Sequence, residues 1–316
     1  MNTHWQHLLG ICALCLACWS GGMANAHAQD VTGTLNTAWE AFWQQSGYPR
    51  PLYKWQTPLR VRFSGASAER HKELTLRRLR EVTQLAGLTV SEAAADDTTA
   101  NVLVEFFSAE APLPGNQTCH TNFNVRNFAI GSATIKANDQ SAWRCMLHET
   151  MHLMGFLGHP LYNSILTYFA RGSDLTAVDR LLLQTLYSPE VESGVSPFAM
   201  LEIIARRLVD NANDSAKAAT KQAADTFLLK TIQEMEAFGN GTGEGPSVIV
   251  RSGRATQQGL ERGLVEIQFF LGLAYRHGHI VAPDKDKALS WFNKAAAASH
   301  AGAVAQLKLA AGAEKN

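Results

Sequence analysis

The chain has 316 residues, of which 46% are hydrophobic and 18% charged, and its Lys+Arg and Asp+Glu counts are equal at 28 each. That length accommodates a catalytic-size domain with a smaller companion, and the composition is that of a folded globular protein rather than a disordered or fibrous one. The balanced charge offers no electrostatic case for nucleic acid or an anionic membrane surface as partner.

At the start of the chain, Leu8 to Trp19 is an apolar run too short to span a bilayer. Ser20-Gly21-Gly22 follows, then Ala26-His27-Ala28, a small-residue cleavage pattern. His4 and His7 stand where Lys or Arg is usual. We read 1–28 as an export signal cleaved near Ala28. Lipid attachment at Cys18 is a poorer alternative, because Cys15-Leu16-Ala17 makes a weak lipobox. The mature chain is expected in the periplasm or outside the cell, with no membrane attachment once the signal is removed.

Cys12, Cys15 and Cys18 leave with that signal, and Cys119 and Cys145 remain. An even pair in an oxidising compartment predicts a disulfide. It would tie the segment before the edge strand to the start of the helix carrying the principal motif. Two buried free thiols are the alternative.

In chain order, Thr34 to Gln45 has amphipathic helical spacing, with Trp39, Phe42 and Trp43 for packing and no chemistry implied. After Pro49, Pro51 and Pro58, the alternation in Leu59-Arg60-Val61-Arg62-Phe63 predicts a strand. A helix is expected over Ala68 to Ala86, stopped by Gly87, its Arg and Lys residues forming a solvated face. Further strands are expected at Leu88 to Val90, Val102 to Phe107 and Ala129 to Ile135. Gly131 would permit close approach of another backbone, although a bulge or plain packing explains it equally well. His120, beside Cys119, could be a site residue, but a loop His is more often solvated.

The next stretch, Arg144 to Pro160, contains His148-Glu149-Thr150-Met151-His152. Imidazoles four residues apart share a helix face and can reach one ion, while the intervening Glu can exchange a proton beside it. Gly155 is a stop signal. The bare motif also arises by chance, but Gly155 and His159 follow it in close order. This run resembles the metzincin zinc peptidases, whose pattern is H-E-x-x-H-x-x-G-x-x-H. Gly155 matches the family glycine; the third ligand position falls on Gly158, and the histidine comes one residue later.

A slightly wider loop is expected to bring His159 to the metal. Ser164-Ile165-Leu166-Thr167-Tyr168 is similar to the family's Met-containing turn, with Leu at the Met position. Tyr168 matches a tyrosine that serves some members as ligand or hydrogen-bond donor. Leu175 to Tyr187 looks like the last core helix of the family, L-[ST]-x-x-D…L-Y. The segment also resembles a family of bacterial secreted proteins whose domain has no assigned function.

Beyond Pro189, helices are expected at Pro197 to Val209 and Ala216 to Phe238, then a flexible Gly-rich linker from Gly239. Glu266 to Gly278 and Asp284 to Ala296 resemble one Sel-one-like repeat, a relative of the tetratricopeptide repeat, with Ala301 to Leu309 as a cap. One repeat cannot bury a solenoid core, so it should pack on the preceding helices. His277 and His279 read as loop residues.

The resemblances imply an α+β fold: a metzincin-like domain over 29–190, with a twisted mixed sheet and a zinc helix. A helical connector (191–238), a Gly-rich linker (239–253) and an all-α helical-repeat region (254–316) complete it. The function they imply is zinc-dependent peptide hydrolysis, with Zn2+ held by His148, His152 and His159, Glu149 as general base, and Tyr168 assisting at the oxyanion. Peptide or protein is the expected substrate, with a separate protein partner for the repeat. The alternative is a catalytically inactive exported scaffold on a degenerate domain of this kind. A closed structural zinc site is weaker, since such sites take four protein ligands.

Overall fold

The computed structural model describes residues 30–108, 118–167, 174–247, 249 and 253–313. The export-signal segment 1–28 and Tyr168 lie outside the described residues.

Alternation builds the sheet. β1 (Lys54–Trp55), β2 (Leu59–Ser64), β3 (Val90–Glu92), β4 (Val102–Phe107), β5 (Cys119–Arg126) and β6 (Ala129–Asn138) form one six-stranded sheet. β3, β2, β4 and β6 lie side by side and parallel, and β1 pairs in parallel with the start of β6. β5 is antiparallel to β6 and forms the edge. Leu59, Val61, Val102, Val104, Ala133 and Ile135 point into the core. Their neighbours Arg60 and Glu105 face water, where Glu105 pairs with Lys136 at 3.2 Å. Parallel strands are usually covered on both faces; here charge covers one, and α2 (Ala68–Leu85) and α3 (Ala142–Leu153) cover the other.

β5 corrects the sequence reading. The segment carrying His120 is the edge strand itself rather than a loop before it. The strand read at Ala129 to Ile135 is an interior one, flanked on both sides, so Gly131 does not mark an edge. Asn127 and Phe128, with φ of 49° and 62°, make the two-residue hairpin turn between the strands.

The first helix, α1 (30–41), starts and stops earlier than the sequence spacing suggested. Trp43 has already entered a bridge with Pro49, because Gln44 bonds Tyr48 in a turn made by Gly47 at φ 111°. The second half of α1 is buried almost throughout, with Leu35 and Ala38 fully enclosed.

After the sheet come α4 (Ala177–Leu186), α5 (Pro197–Asp210), α6 (Asp214–Gly239), α7 (Gln257–His277), α8 (Lys285–Ala297) and α9 (Ala301–Ala313). α4 begins with a full capping box, Thr176 with Asp179. α7 packs on α6. There Tyr275 donates to Glu236 at 2.6 Å, and Gln268 donates to the Gly239 carbonyl at 2.9 Å.

The glycine-rich stretch is more ordered at its start than its composition suggested. The amides of Thr242 and Gly243 both bond back to the Ala237 carbonyl, at 3.0 and 3.2 Å. His277 ends α7, and His279 pairs with Glu202 at 3.1 Å. The core runs without a break from α1 and the sheet into these helices. Trp39 stacks on Phe198 at 5.4 Å, and Trp43 meets Phe238 edge-on at 6.2 Å. Among the described residues no helix is long and apolar enough to cross a membrane.

Candidate metal centre

α3 buries Met146, Leu147, Met151 and Leu153 against the sheet and α2, and it carries His148, Glu149 and His152. It ends where the sequence says it should. Gly155 takes φ 105°, and a Cβ there would overlap the Tyr53 carbonyl oxygen, so only glycine fits. The last carbonyls of the helix find donors in the fold: Trp55 Nε1 bonds Leu153 O at 2.8 Å and Tyr187 Oη bonds Met154 O at 3.2 Å.

The turn then runs past the end of α1, which settles the register of the third histidine. The Gly158 amide bonds the Ala41 carbonyl at 2.9 Å, and a side chain at 158 would run into the Glu40 and Ala41 backbone. Leu161 N is held by Glu40 Oε2 at 2.9 Å. With 158 pressed against α1, the next residue turns inward. α1 therefore does more than pack, which its sequence did not suggest.

The Nε2 atoms of the three histidines converge: 2.9 Å for His148 and His152, 3.2 Å for His152 and His159, and 3.3 Å for His148 and His159. Two of the rings are oriented from behind. His148 Nδ1 faces the Ile165 carbonyl at 2.9 Å, and His152 Nδ1 faces the Phe156 carbonyl at 2.6 Å. A carbonyl only accepts, so both Nδ1 atoms carry the proton and both Nε2 lone pairs point into the cluster. Lone pairs this close repel one another unless a cation lies between them.

Nitrogens bound to one tetrahedral zinc stand ~3.3 Å apart, given Zn–N bonds of about 2.0–2.1 Å. The two distances to His159, 3.2 and 3.3 Å, match that spacing, and the His148–His152 distance of 2.9 Å is somewhat shorter. Among the described residues this is the one group of three or more His, Cys, Asp or Glu placed to hold a metal ion. His152 is buried, and His148 and His159 are half-buried.

Burial keeps all three imidazoles neutral, the state a ligand needs. His148 is pushed below the usual range by burial; His152 falls to about 3 through burial and the neighbouring His148; His159 is lowered by burial and both partners. Glu149 is pushed the other way, up to about 7, by burial, with Thr121 opposing. Thr121 Oγ1 donates to Glu149 Oε2 at 2.7 Å.

Behind His148, Asp179 is fully buried and accepts from Ser164 Oγ at 2.6 Å and Ile165 N at 3.0 Å. It thereby fixes the residue whose carbonyl holds His148, and Ser164 Oγ in turn accepts from Leu166 N, the amide of that carbonyl's own peptide, at 3.0 Å. Leu166, beside it, is completely enclosed.

His120 stands apart from the cluster, bonded to Asn122 at 3.0 Å. Cys119 and Cys145 are joined in a disulfide with Cα atoms 6.3 Å apart, which takes Cys145 out of the ligand set.

Sequence reasoning gave no role to Thr121, Asp179 or Glu40. β5 did carry a signal: Cys119, Thr121, Phe123 and Val125 alternate with His120, Asn122, Asn124 and Arg126 ahead of a turn. Asp179 lay inside the quoted helix motif without a task. Nothing local pointed to Glu40.

The arrangement can hold a divalent cation through three neutral imidazoles, with no fourth protein ligand among the described residues, and exchange a proton through Glu149. No family model matches this chain, and no curated protein matches it.

Proposed function

We propose that the protein is an exported zinc-dependent peptidase of metzincin type. The observation that carries the reading is the convergence of three Nε2 atoms within 2.9–3.3 Å beside the buried carboxyl of Glu149. A closed structural site would surround its ion with four ligands, whereas this cluster has three among the described residues.

Zinc, when bound there, supplies a Lewis acid that polarises a carbonyl and makes water acidic near neutral pH. Glu149 takes the proton of the attacking water and returns it to the leaving amine. A carboxyl poised near neutrality suits both transfers. Tyr168 is proposed as a donor to the developing oxyanion.

β5 is an exposed edge beside α3, and an extended substrate would add to it through backbone hydrogen bonds, selecting peptide over other polymers. The zinc helix, the glycine turn, the buried 164–166 turn and α4 follow in the metzincin order, which supports the family assignment. α7, α8 and α9 are proposed as a Sel-one-like module that engages a protein partner.

The test is zinc content and hydrolysis of an unfolded generic protein by wild type, His152→Ala and Glu149→Ala. His152→Ala should lose the metal. Glu149→Ala should keep it and lose hydrolysis by about 100-fold or more. Zinc bound by wild type with no hydrolysis would instead favour the exported scaffold.

A further inference from the structure

Glu149 is an odd base to leave unguided. Its side chain has three rotatable bonds, and a buried carboxylate oriented by nothing would sample several rotamers. Among the described residues one group bonds that carboxylate, the Thr121 hydroxyl, 2.7 Å from Oε2. The same hydroxyl lies 3.1 Å from the Glu149 backbone carbonyl. It therefore spans the side chain and the helix that carries it. Both residues are buried, so water does not compete for the contact.

The bond has a covalent neighbour. Cys119 precedes Thr121 by two residues on β5 and so shares its strand face. Cys145 precedes Glu149 by four residues on α3 and so shares its helix face. The disulfide between them and the Thr121–Glu149 bond are consecutive links from edge strand to helix. The first fixes the register in which the second can form.

We propose that Thr121 is a positioning residue for Glu149. Its hydroxyl engages Oε2 and leaves Oε1 as the oxygen that exchanges the proton, and the Cys119–Cys145 bond holds strand and helix in the register this needs. The proposal rests on the hydrolytic reading above, and its test separates the two.

Thr121→Val removes the hydroxyl at nearly constant volume; Thr121→Ser restores it, and Thr121→Ala serves if the valine variant does not fold. With zinc-loaded protein and fluorescence-quenched casein as probe, Thr121→Val should lower kcat about 10- to 100-fold with KM changed less than about twofold. Zinc stoichiometry should stay at the wild-type value, and Thr121→Ser should recover kcat to within about threefold of wild type. Crystals of the metal-free Thr121→Val protein should show the Glu149 carboxyl swung away from its wild-type place.

A wild type that hydrolyses casein alongside an equally fast Thr121→Val variant overturns this proposal and leaves the peptidase reading standing. So does a serine variant as slow as the valine one. A wild type with no hydrolysis overturns the peptidase reading; a Glu149 carboxyl unmoved in metal-free Thr121→Val then overturns the positioning role as well.

Discussion

Glu149 and the three histidines pull the pH dependence of the metal-free fold in opposite directions, and one substitution separates them. Burial raises the Glu149 carboxyl from 4.5 to about 7, so between those values the folded chain holds a proton that the unfolded chain releases. The stability this contributes is present below 4.5 and is lost as pH rises through 7. For His152, lowered from 6.5 to about 3, the sign is reversed: its contribution is present above 6.5 and is lost as pH falls towards 3. Wild type and Glu149→Gln share the histidines, so their difference isolates the carboxyl. In chelator, the two should melt together near pH 4.5, and Glu149→Gln should be the more stable protein once pH exceeds 7. The gain is on the order of 3 kcal/mol. Urea melts across that range measure it, and equal stability above neutrality would mean the carboxyl is solvated.

At the scale of elements, the site depends on how α4 and the 161–167 turn grip one residue, Ile165. Asp179 accepts from Ser164, Ile165 and Thr176, and the carbonyl of that same Ile165 holds His148. Asp179→Asn would turn an amide donor towards groups that themselves donate, releasing residue Ile165 and with it the His148 ring that its carbonyl holds. We expect zinc affinity to fall about 10- to 100-fold, the usual effect of losing an outer-shell partner. Competition with a chromophoric chelator would read it, and unchanged affinity would show that the turn holds itself.

This scale also separates what was legible in the sequence from what was not. His148, Glu149 and His152 are legible because one helical turn fixes their relation, and β2, β4 and α2 because their apolar residues repeat with a clear period. β5 buries few of its side chains, so its alternation carried no apolar run. The one-residue displacement of His159 is visible in the sequence. Its cause is not, since it lies in Glu40 and Ala41 more than a hundred residues away, and such contacts leave no local pattern. Thr121 was hidden for both reasons.

For the whole molecule, the decisive question is whether the helices after the sheet form a separate unit. The linker's glycines suggested flexibility, yet the core passes from α1 and the turn after it to α5 and α6 through Trp39–Phe198 and Trp43–Phe238, and α1 in turn holds the loop of His159. Arg254 also reaches across to Gln45 at 3.1 Å, and Arg262 lies over the Tyr48 ring at 4.4 Å. A core shared by the sheet and the later helices couples their unfolding, and a ligand that binds only the native form stabilises whatever unfolds together with its site. Zinc at about a thousand times its Kd adds about 4 kcal/mol to such a unit. Tryptophan fluorescence, weighted towards α1 and the sheet, and far-ultraviolet dichroism, weighted towards α6 to α9, should therefore give one coincident melt. Zinc should raise both signals together, and His152→Ala should abolish the rise in both. Two separated transitions, with zinc moving only the fluorescence signal, would show that the helical region folds independently of the metal centre.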